Sequence, residues 1–284
     1  MNSHFYAVKC LTNLHMGSGD TNFNIVDNEV QKDPVTQMPI MHSSGIKGAL
    51  RDHFRGLGTT PGSADLVTDI FGSERLDDSS MNMKRTKPGI LKFLSARLVC
   101  IPVRSGDKYT PYYIATSVDL LREFGNLFTS LCGNDIVPGY SADVEKLSES
   151  RAYYWRKGTV KVEDHLLNVA DNDLIGTHIR QFTRLFYPDN HDQCKLLIVP
   201  DTVLRAISLP VLARNQLNNG ISRNLWYEEV VPHGAVFVFG VLSDNTSTGD
   251  QLLEKFHDLV KDQVVQFGGN ASIGCGLSKM IALS

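Results

Sequence analysis

The chain of 284 residues is 42% hydrophobic, enough to bury one large core or two modest ones at about 100–200 residues per domain. Its net charge of −3 and isoelectric point near 6.3 exclude a globally basic nucleic-acid binder, so any such surface has to be a local patch. No run approaches the ~18 apolar residues of a membrane span, residues 1–10 lack a basic region followed by an apolar signal core, and the five cysteines contain no CxxC pair, which predicts a cytoplasmic protein without membrane contact, disulfide framework or zinc knuckle.

Residues 5–14 alternate bulky and smaller strand formers and run into Gly17-Ser18-Gly19, which predicts a first strand ending in a glycine-rich turn. After an irregular stretch through Pro34 and Pro39, Ser43 and Ser44 offer N-caps for a helix with Ile46, Ala49, Leu50, Phe54 and Leu57 at helical spacing. Residues 74–88 are polar and aperiodic and cluster Lys84, Arg85 and Lys87, so they are expected to form a flexible basic loop. Strand-like runs over 91–103 and 109–115 precede a helix from 118 to about 132, capped by Ser117. Residues 133–192 show no pattern that assigns them.

Asn219-Gly220 sits between two moderately apolar arms in 209–227, which predicts a projecting β-hairpin because both central residues accept positive φ. Residues 236–242 read as a strand, 251–265 as a helix with Leu252, Leu253, Phe256, Leu259 and Val260 on one side, and 277–283 as a strand. The strand–loop–helix opening and the strand–helix–strand ending predict one α+β domain over 1–284, ferredoxin-like (RRM-like), with insertions between its halves.

Lys47, Arg51 and Arg55 are spaced i, i+4, i+8 and share a helix face distinct from the apolar stripe. With the amides at the helix start and the approach that Gly45 and Gly48 allow, they form a candidate phosphate cradle. Such a stripe also commonly just solvates an amphipathic helix. The second glycine cluster, 268–276, is equally open to reading as a tight structural turn. Neither segment continues into the Gly-Lys-Ser/Thr of a P-loop, and no three-glycine dinucleotide fingerprint, Gly-x-Ser-x-Gly elbow or His-Glu-x-x-His helix occurs, so a small-molecule enzyme has little support.

Leu14-His15-Met16-Gly17-Ser18-Gly19, then Val26-Asp27 with Gln31, then Pro39-Ile40 and Ser43-Ser44-Gly45-Ile46-Lys47-Gly48-Ala49-Leu50-Arg51, resembles the opening of a RAMP-superfamily CRISPR protein. The likeness continues at Leu225-Trp226-Tyr227-Glu228-Glu229 and the terminal glycine-rich loop, and is strongest to the repeated, target-cleaving backbone subunit of the type III-B (Cmr) effector complex. Met16 stands where valine is more usual, and His42 where proline or a glycine-like loop residue is expected.

The resemblance implies copies that assemble as a filament on guide RNA beside other Cmr-type subunits, with Gly17, Ser18, Ser44, Lys47, Arg51, Gly268, Gly269, Gly274 and Gly276 as RNA-binding residues. It makes the hairpin 209–227 a thumb that opens the guide–target RNA duplex at six-nucleotide intervals. Asp27 then matches the catalytic aspartate, with His15 and Glu228 as candidate support. Target RNA would be cut by 2′-OH attack, leaving a 2′,3′-cyclic phosphate and a 5′-OH, with a divalent cation, magnesium first, as the expected cofactor and Asp27 as its candidate ligand. Asp20 and Asp33 compete with Asp27 by position. The alternative within the family is a non-catalytic scaffold or a subunit that caps the guide end.

Overall fold

In strand β1 (Ser3–Cys10), Phe5 and Ala7 enter one core while Tyr6, Val8 and Cys10 enter another. A strand apolar on both faces belongs in the middle of a sheet covered on both sides, and the computed structural model places it there. The residues described are 2–19, 26–57, 63–73, 87–108, 110–154, 158–170, 181, 184–187 and 196–283.

After β1 come β2 (Ile40–Met41), α1 (Ser43–Gly56), α2 (Ser63–Phe71), β3 (Lys92–Phe93) and β4 (Ala96–Arg104). An insertion follows with β5 (Tyr112–Ser117), α3 (Val118–Cys132), α4 (Tyr140–Val144), β6 (Ala152–Tyr153), β7 (Gly158–Val162), β8 (His165–Ala170), β9 (Leu196–Val199) and α5 (Asp201–Ala206). The hairpin β10 (Val211–Asn218) and β11 (Ile221–Glu229) leads into β12 (Val236–Leu242), α6 (Ser247–Val260), β13 (Val264–Gln266) and β14 (Leu277–Ala282).

Strands β14, β1, β12 and β4 lie side by side in that order, every pair antiparallel. With α1 on the path from β1 to β4 and α6 on the path from β12 to β14, this is the ferredoxin-like arrangement of two interleaved βαβ units. Ile46, Leu50 and Phe54 of α1 and Leu252, Leu253 and Phe256 of α6 fill the core on one face. Phe256 sits at its centre, stacked on Phe54 at 5.5 Å and edge-on to Tyr6 at 5.7 Å. On the other face, α3 packs Leu121, Phe124 and Phe128 over Phe5, Ala7, Val99 and Val238.

The sheet continues beyond β4 through β5, β9, β6, β8 and β7, of which β6, β7 and β8 lie in the segment that sequence reading left unassigned. Its far end curls back: Ser105 bridges Val162, and the Gly106 amide donates to the Lys161 carbonyl at 2.9 Å, tying β7 to the chain that leaves β4. No helix among the described residues is long and apolar enough to cross a membrane.

Several predicted boundaries move. The helix expected over 251–265 is Ser247–Val260, because the Thr246 hydroxyl accepts from the Gly249 amide at 3.0 Å and starts it four residues earlier. It ends earlier because Asp262 takes a positive φ of 60° and 264–266 pair with β14 instead. Ser43 and Ser44 are not the N-caps of α1: both lie inside it, and His42 occupies the cap position with no side-chain bond. The run 91–103 divides into β3 and β4, and the strand expected over 109–115 is Tyr112–Ser117. Of the basic loop expected over 74–88, residues 74–86, with Lys84 and Arg85, lie outside the described residues.

Phe256→Ala removes the ring on which both βαβ halves converge, and is expected to cost about 3–5 kcal/mol. Chemical denaturation should show the fall in midpoint.

Candidate nucleic-acid interface

Three segments distant in sequence meet where the hairpin joins the sheet: the β1–α1 loop, the base of β11 and the loop 267–276. The chain ends of the first two pair directly, Leu14 with Val231, through amide–carbonyl bonds of 2.9 and 2.8 Å. The third is stitched to the first by the Gly269 amide on the His15 carbonyl (2.9 Å) and the Gly276 amide on the Asn13 carbonyl (2.8 Å). Gly268 and Gly276 are glycines for structural reasons: each has a positive φ, and a Cβ would come within 2.3 Å of the His15 carbonyl oxygen at Gly268 and 1.9 Å of the Phe267 carbonyl oxygen at Gly276.

The hairpin runs Val211–Asn218 and Ile221–Glu229, two residues further along than the predicted 209–227, and its turn is Asn219-Gly220, both at positive φ. The two arms form a sheet of their own. Leu217 and Ile221 beside the turn are 62% and 65% exposed, an apolar tip that none of the described residues covers.

At the base of the hairpin the chain buries two consecutive acids. Glu228 is 4% exposed; its Oε2 accepts from Arg214 Nε at 3.0 Å and its Oε1 from Asn270 Nδ2 at 2.8 Å. Glu229 is 8% exposed; its Oε1 accepts from Lys32 Nζ at 2.9 Å and its Oε2 from the Val30 amide at 3.1 Å. Buried carboxylates are tolerated only when paired in this way. His15, also buried, donates from Nδ1 to the Glu229 carbonyl at 2.7 Å, which leaves its Nε2 3.9 Å from Glu228 Oε1.

Asp27 lies at the outer side of this base. Its amide donates to the Tyr227 carbonyl at 3.0 Å, and its Oδ2 accepts from the Tyr227 amide at 2.8 Å. The aspartate is exposed, and its position is tied to the hairpin by bonds in both directions. Of the competing acids, Asp33 caps a turn, accepting from the Val35 and Thr36 amides at 3.0 and 2.8 Å. The Thr36 amide is the largest cause holding its carboxyl below the ordinary range. Asp20 lies outside the described residues.

Beside the base, an open groove of about 650 Å³ runs between α1 and the glycine-rich loop, with Gly17, Gln31, Gly45, His53 and Gly268 in its walls. Gln31 joins two of those walls, donating to the Gly17 carbonyl at 3.1 Å and accepting from the His42 amide at 3.3 Å. Ser18 is held alongside by its amide on the Glu29 carbonyl at 3.0 Å. His53 Nε2 is buried and has no partner among the described residues, and burial lowers the imidazole pKa.

The structure brings Gly17, Gly45 and Gly268 to one groove but not Lys47 and Arg51. The groove-lining residues of α1 are Gly45, Ala49, Asp52 and His53, and helical geometry turns Lys47 and Arg51 to the other side. Arg51 serves a neighbouring helix: its Nη2 donates to the Phe71 carbonyl at the end of α2, at 2.6 Å. Lys47 is half-buried, and burial first, then the Arg51 charge, holds its ammonium below the ordinary value. Gly274 stands apart, with a positive φ and open space beside it.

Sequence reading missed Arg214, Asn270, Lys32 and the Tyr227 peptide. Arg214 carries a weak signal, since hairpin residues two apart across the strands share a face. The Asn219-Gly220 turn alone, however, would put Arg214 opposite Leu225 and on the face of Tyr227. A register shift between Gln216 and Leu217 puts it opposite Trp226, on the face of Glu228.

Among the described residues no cluster of three or more His, Cys, Asp or Glu side chains is arranged to hold a metal ion. Both oxygens of Glu228 are engaged, whereas among the described residues Asp27 has a donor on its Oδ2 alone. A single carboxylate is a donor set that fits a largely hydrated magnesium ion.

A ferredoxin-like sheet, a separate hairpin and a glycine-rich loop locked to the β1–α1 loop define the class of protein. The chain belongs to the RAMP superfamily, whose family model matches residues 7–279. It is 23% identical over 299 residues to the CRISPR system Cmr endoribonuclease Cmr4 of Pyrococcus furiosus, covering 99% of this chain and 95% of that protein. Its fold is similar to that of oligomeric Cmr4 from Pyrococcus furiosus, with a TM-score of 0.73 at 18% identity over 99% and 98% of the two chains. It is similar also to a chain of the type III-B Cmr-beta complex bound to cognate target RNA, with a TM-score of 0.77 at 17% identity over 100% and 98% of the chains.

The two basic residues of α1 should separate by experiment. Arg51→Ala strands a buried carbonyl and is expected to lower stability by about 1–3 kcal/mol, whereas Lys47→Ala stays within about 0.5 kcal/mol. Thermal unfolding of both variants checks this.

Proposed function

We propose that the chain is a backbone subunit of a type III-B CRISPR ribonucleoprotein that holds guide RNA and cuts complementary target RNA at Asp27. The observation that carries the reading is the clamp between Asp27 and Tyr227, which attaches the family's aspartate to the base of an exposed hairpin. The homologue named an endoribonuclease and the similar chain in a target-RNA complex support the activity and the partners; the similar oligomeric protein supports assembly of copies along the guide. The assembly acts in the cytoplasm, with other Cmr-type subunits.

In this reading the groove between α1 and the glycine-rich loop receives guide backbone. The Ser43 amide is taken by Ser95 Oγ at 3.2 Å, so the next amides of the first turn of α1, those of Ser44 and Gly45, supply donors without bulk, with Gly17 facing them. Lys47 adds charge from the far side of the helix rather than from the groove. A phosphate near it would favour the ammonium and reverse the effect of burial.

The hairpin tip, with Leu217 and Ile221, inserts between stacked bases and opens the duplex in six-nucleotide steps; unstacking costs a few kcal/mol, which binding along the duplex supplies. The displaced nucleotide leaves its 2′-hydroxyl free to line up with the adjacent phosphate. Asp27 accepts the 2′-hydroxyl proton, the oxygen attacks phosphorus, and the bond to the 5′-oxygen breaks as that oxygen takes a proton from water, giving a 2′,3′-cyclic phosphate and a 5′-hydroxyl. Asp27 is also the residue that would hold a divalent cation, magnesium first, which when bound supplies charge stabilisation at the phosphate.

Asp27→Asn in the assembled complex is expected to leave guide content and target binding unchanged and to slow cleavage by about 100-fold or more. Cutting at the wild-type rate would make the chain a non-catalytic scaffold or a subunit capping the guide end. Leu217→Ser with Ile221→Ser should retain guide RNA but blur or abolish the six-nucleotide ladder of fragments, read on a sequencing gel with end-group analysis.

A further inference from the structure

Asn270 stands at φ 62°, ψ 29°, in left-handed backbone that glycine adopts at the lowest cost. Its neighbours with positive φ, Gly268, Gly274 and Gly276, are all glycine. A side chain retained at this one position has a visible use, since its carboxamide is the donor that reaches Oε1 of the buried Glu228 at 2.8 Å.

Its backbone is a fixed platform. The Asn270 carbonyl accepts from the Ile273 and Cys275 amides at 3.1 and 3.2 Å, and the preceding Gly269 amide is bound to His15. Without the carboxamide, Glu228 Oε1 has no donor within hydrogen-bond reach among the described residues, since His15 Nε2 is 3.9 Å away. The acid would then move toward Arg214 or His15, and the Tyr227 carbonyl in the peptide next to it accepts from the Asp27 amide at 3.0 Å, while the Tyr227 amide one peptide further back donates to Asp27 Oδ2.

We propose that Asn270 is a positioning residue for target cleavage: it holds Glu228, and through the adjoining Tyr227 peptide it sets where Asp27 stands relative to the glycine-rich loop. The inference rests on the reading of Asp27 given above. It makes occupancy of the groove and placement of the cutting residue two ends of one rigid connection.

Asn270→Gly is the direct test, because it keeps the left-handed backbone and removes only the carboxamide. In the full-length chain assembled with guide RNA, target cleavage at saturating complementary RNA is expected to slow by about ten- to a hundredfold. Guide content and target affinity should stay at wild-type values, and the melting temperature should fall by only a few degrees, the cost of leaving Glu228 Oε1 without its donor. Asn270→Asp, which places an acceptor against Glu228, should be slower still. On a Glu228→Ala background, Asn270→Gly should cause no further loss, because the two act through one bond.

A wild-type cleavage rate in Asn270→Gly, with Asp27→Asn inactive, overturns the positioning role and leaves the Asp27 reading standing. Loss of guide or target affinity in Asn270→Gly also overturns it, by making Asn270 an RNA contact. Full activity in Asp27→Asn overturns both.

Discussion

A carboxylate taken out of water is tolerated only when each oxygen finds a donor, and Glu228, 4% exposed, finds its two donors on different parts of the chain. Arg214 comes from the opposite arm of the hairpin and Asn270 from the glycine-rich loop. Glu229 repeats the device on the other side of the strand, where Lys32 and the Val30 amide belong to the β1–α1 loop. Consecutive residues of a strand point to opposite faces, so these two acids pin the hairpin base from both sides at once.

That pinning matters because a two-stranded hairpin has no core of its own and is marginal in isolation. β10 and β11 form a separate sheet, and much of their surface is exposed. What fixes their direction is the base. The base in turn stands on the sheet through Leu14 and Val231, just beyond the ends of β1 and before the start of β12, two strands buried on both faces. The path from core to functional surface is therefore short, running from the Phe256 core through β1 and β12 to the paired acids and then to Asp27.

The arrangement also divides the glycines by task. Gly268 and Gly276 allow the terminal loop to lie against the His15 and Phe267 carbonyls, and Gly268 thereby forms part of the groove wall. Gly45 opens the first turn of α1 to the groove, whereas the Ser43 amide before it is taken by Ser95 Oγ. The basic residues of α1 divide in the same way, since Arg51 braces α2 while Lys47 keeps an ammonium near the surface.

Much of the ferredoxin-like core was legible in the sequence, because periodicity and capping are local: the apolar spacing of Ile46, Leu50 and Phe54, the Ser117 cap and the Asn219-Gly220 turn each act within a few residues. Asp27 stood out only through the ordered resemblance around it, since an aspartate in a polar loop has no local signature. Residues 133–192 stayed unassigned because β6 is only two residues long and is held by non-local pairing, parallel to β8 and with Tyr153 opposite Ile198 of β9. Which residues surround Asp27 was decided by the tertiary structure alone. Tyr227 is 200 positions away in sequence, and Arg214 meets Glu228 because one register shift in the hairpin turns it to that face. Local sequence sets where strands, turns and helices form; register and long-range pairing set which side chains meet.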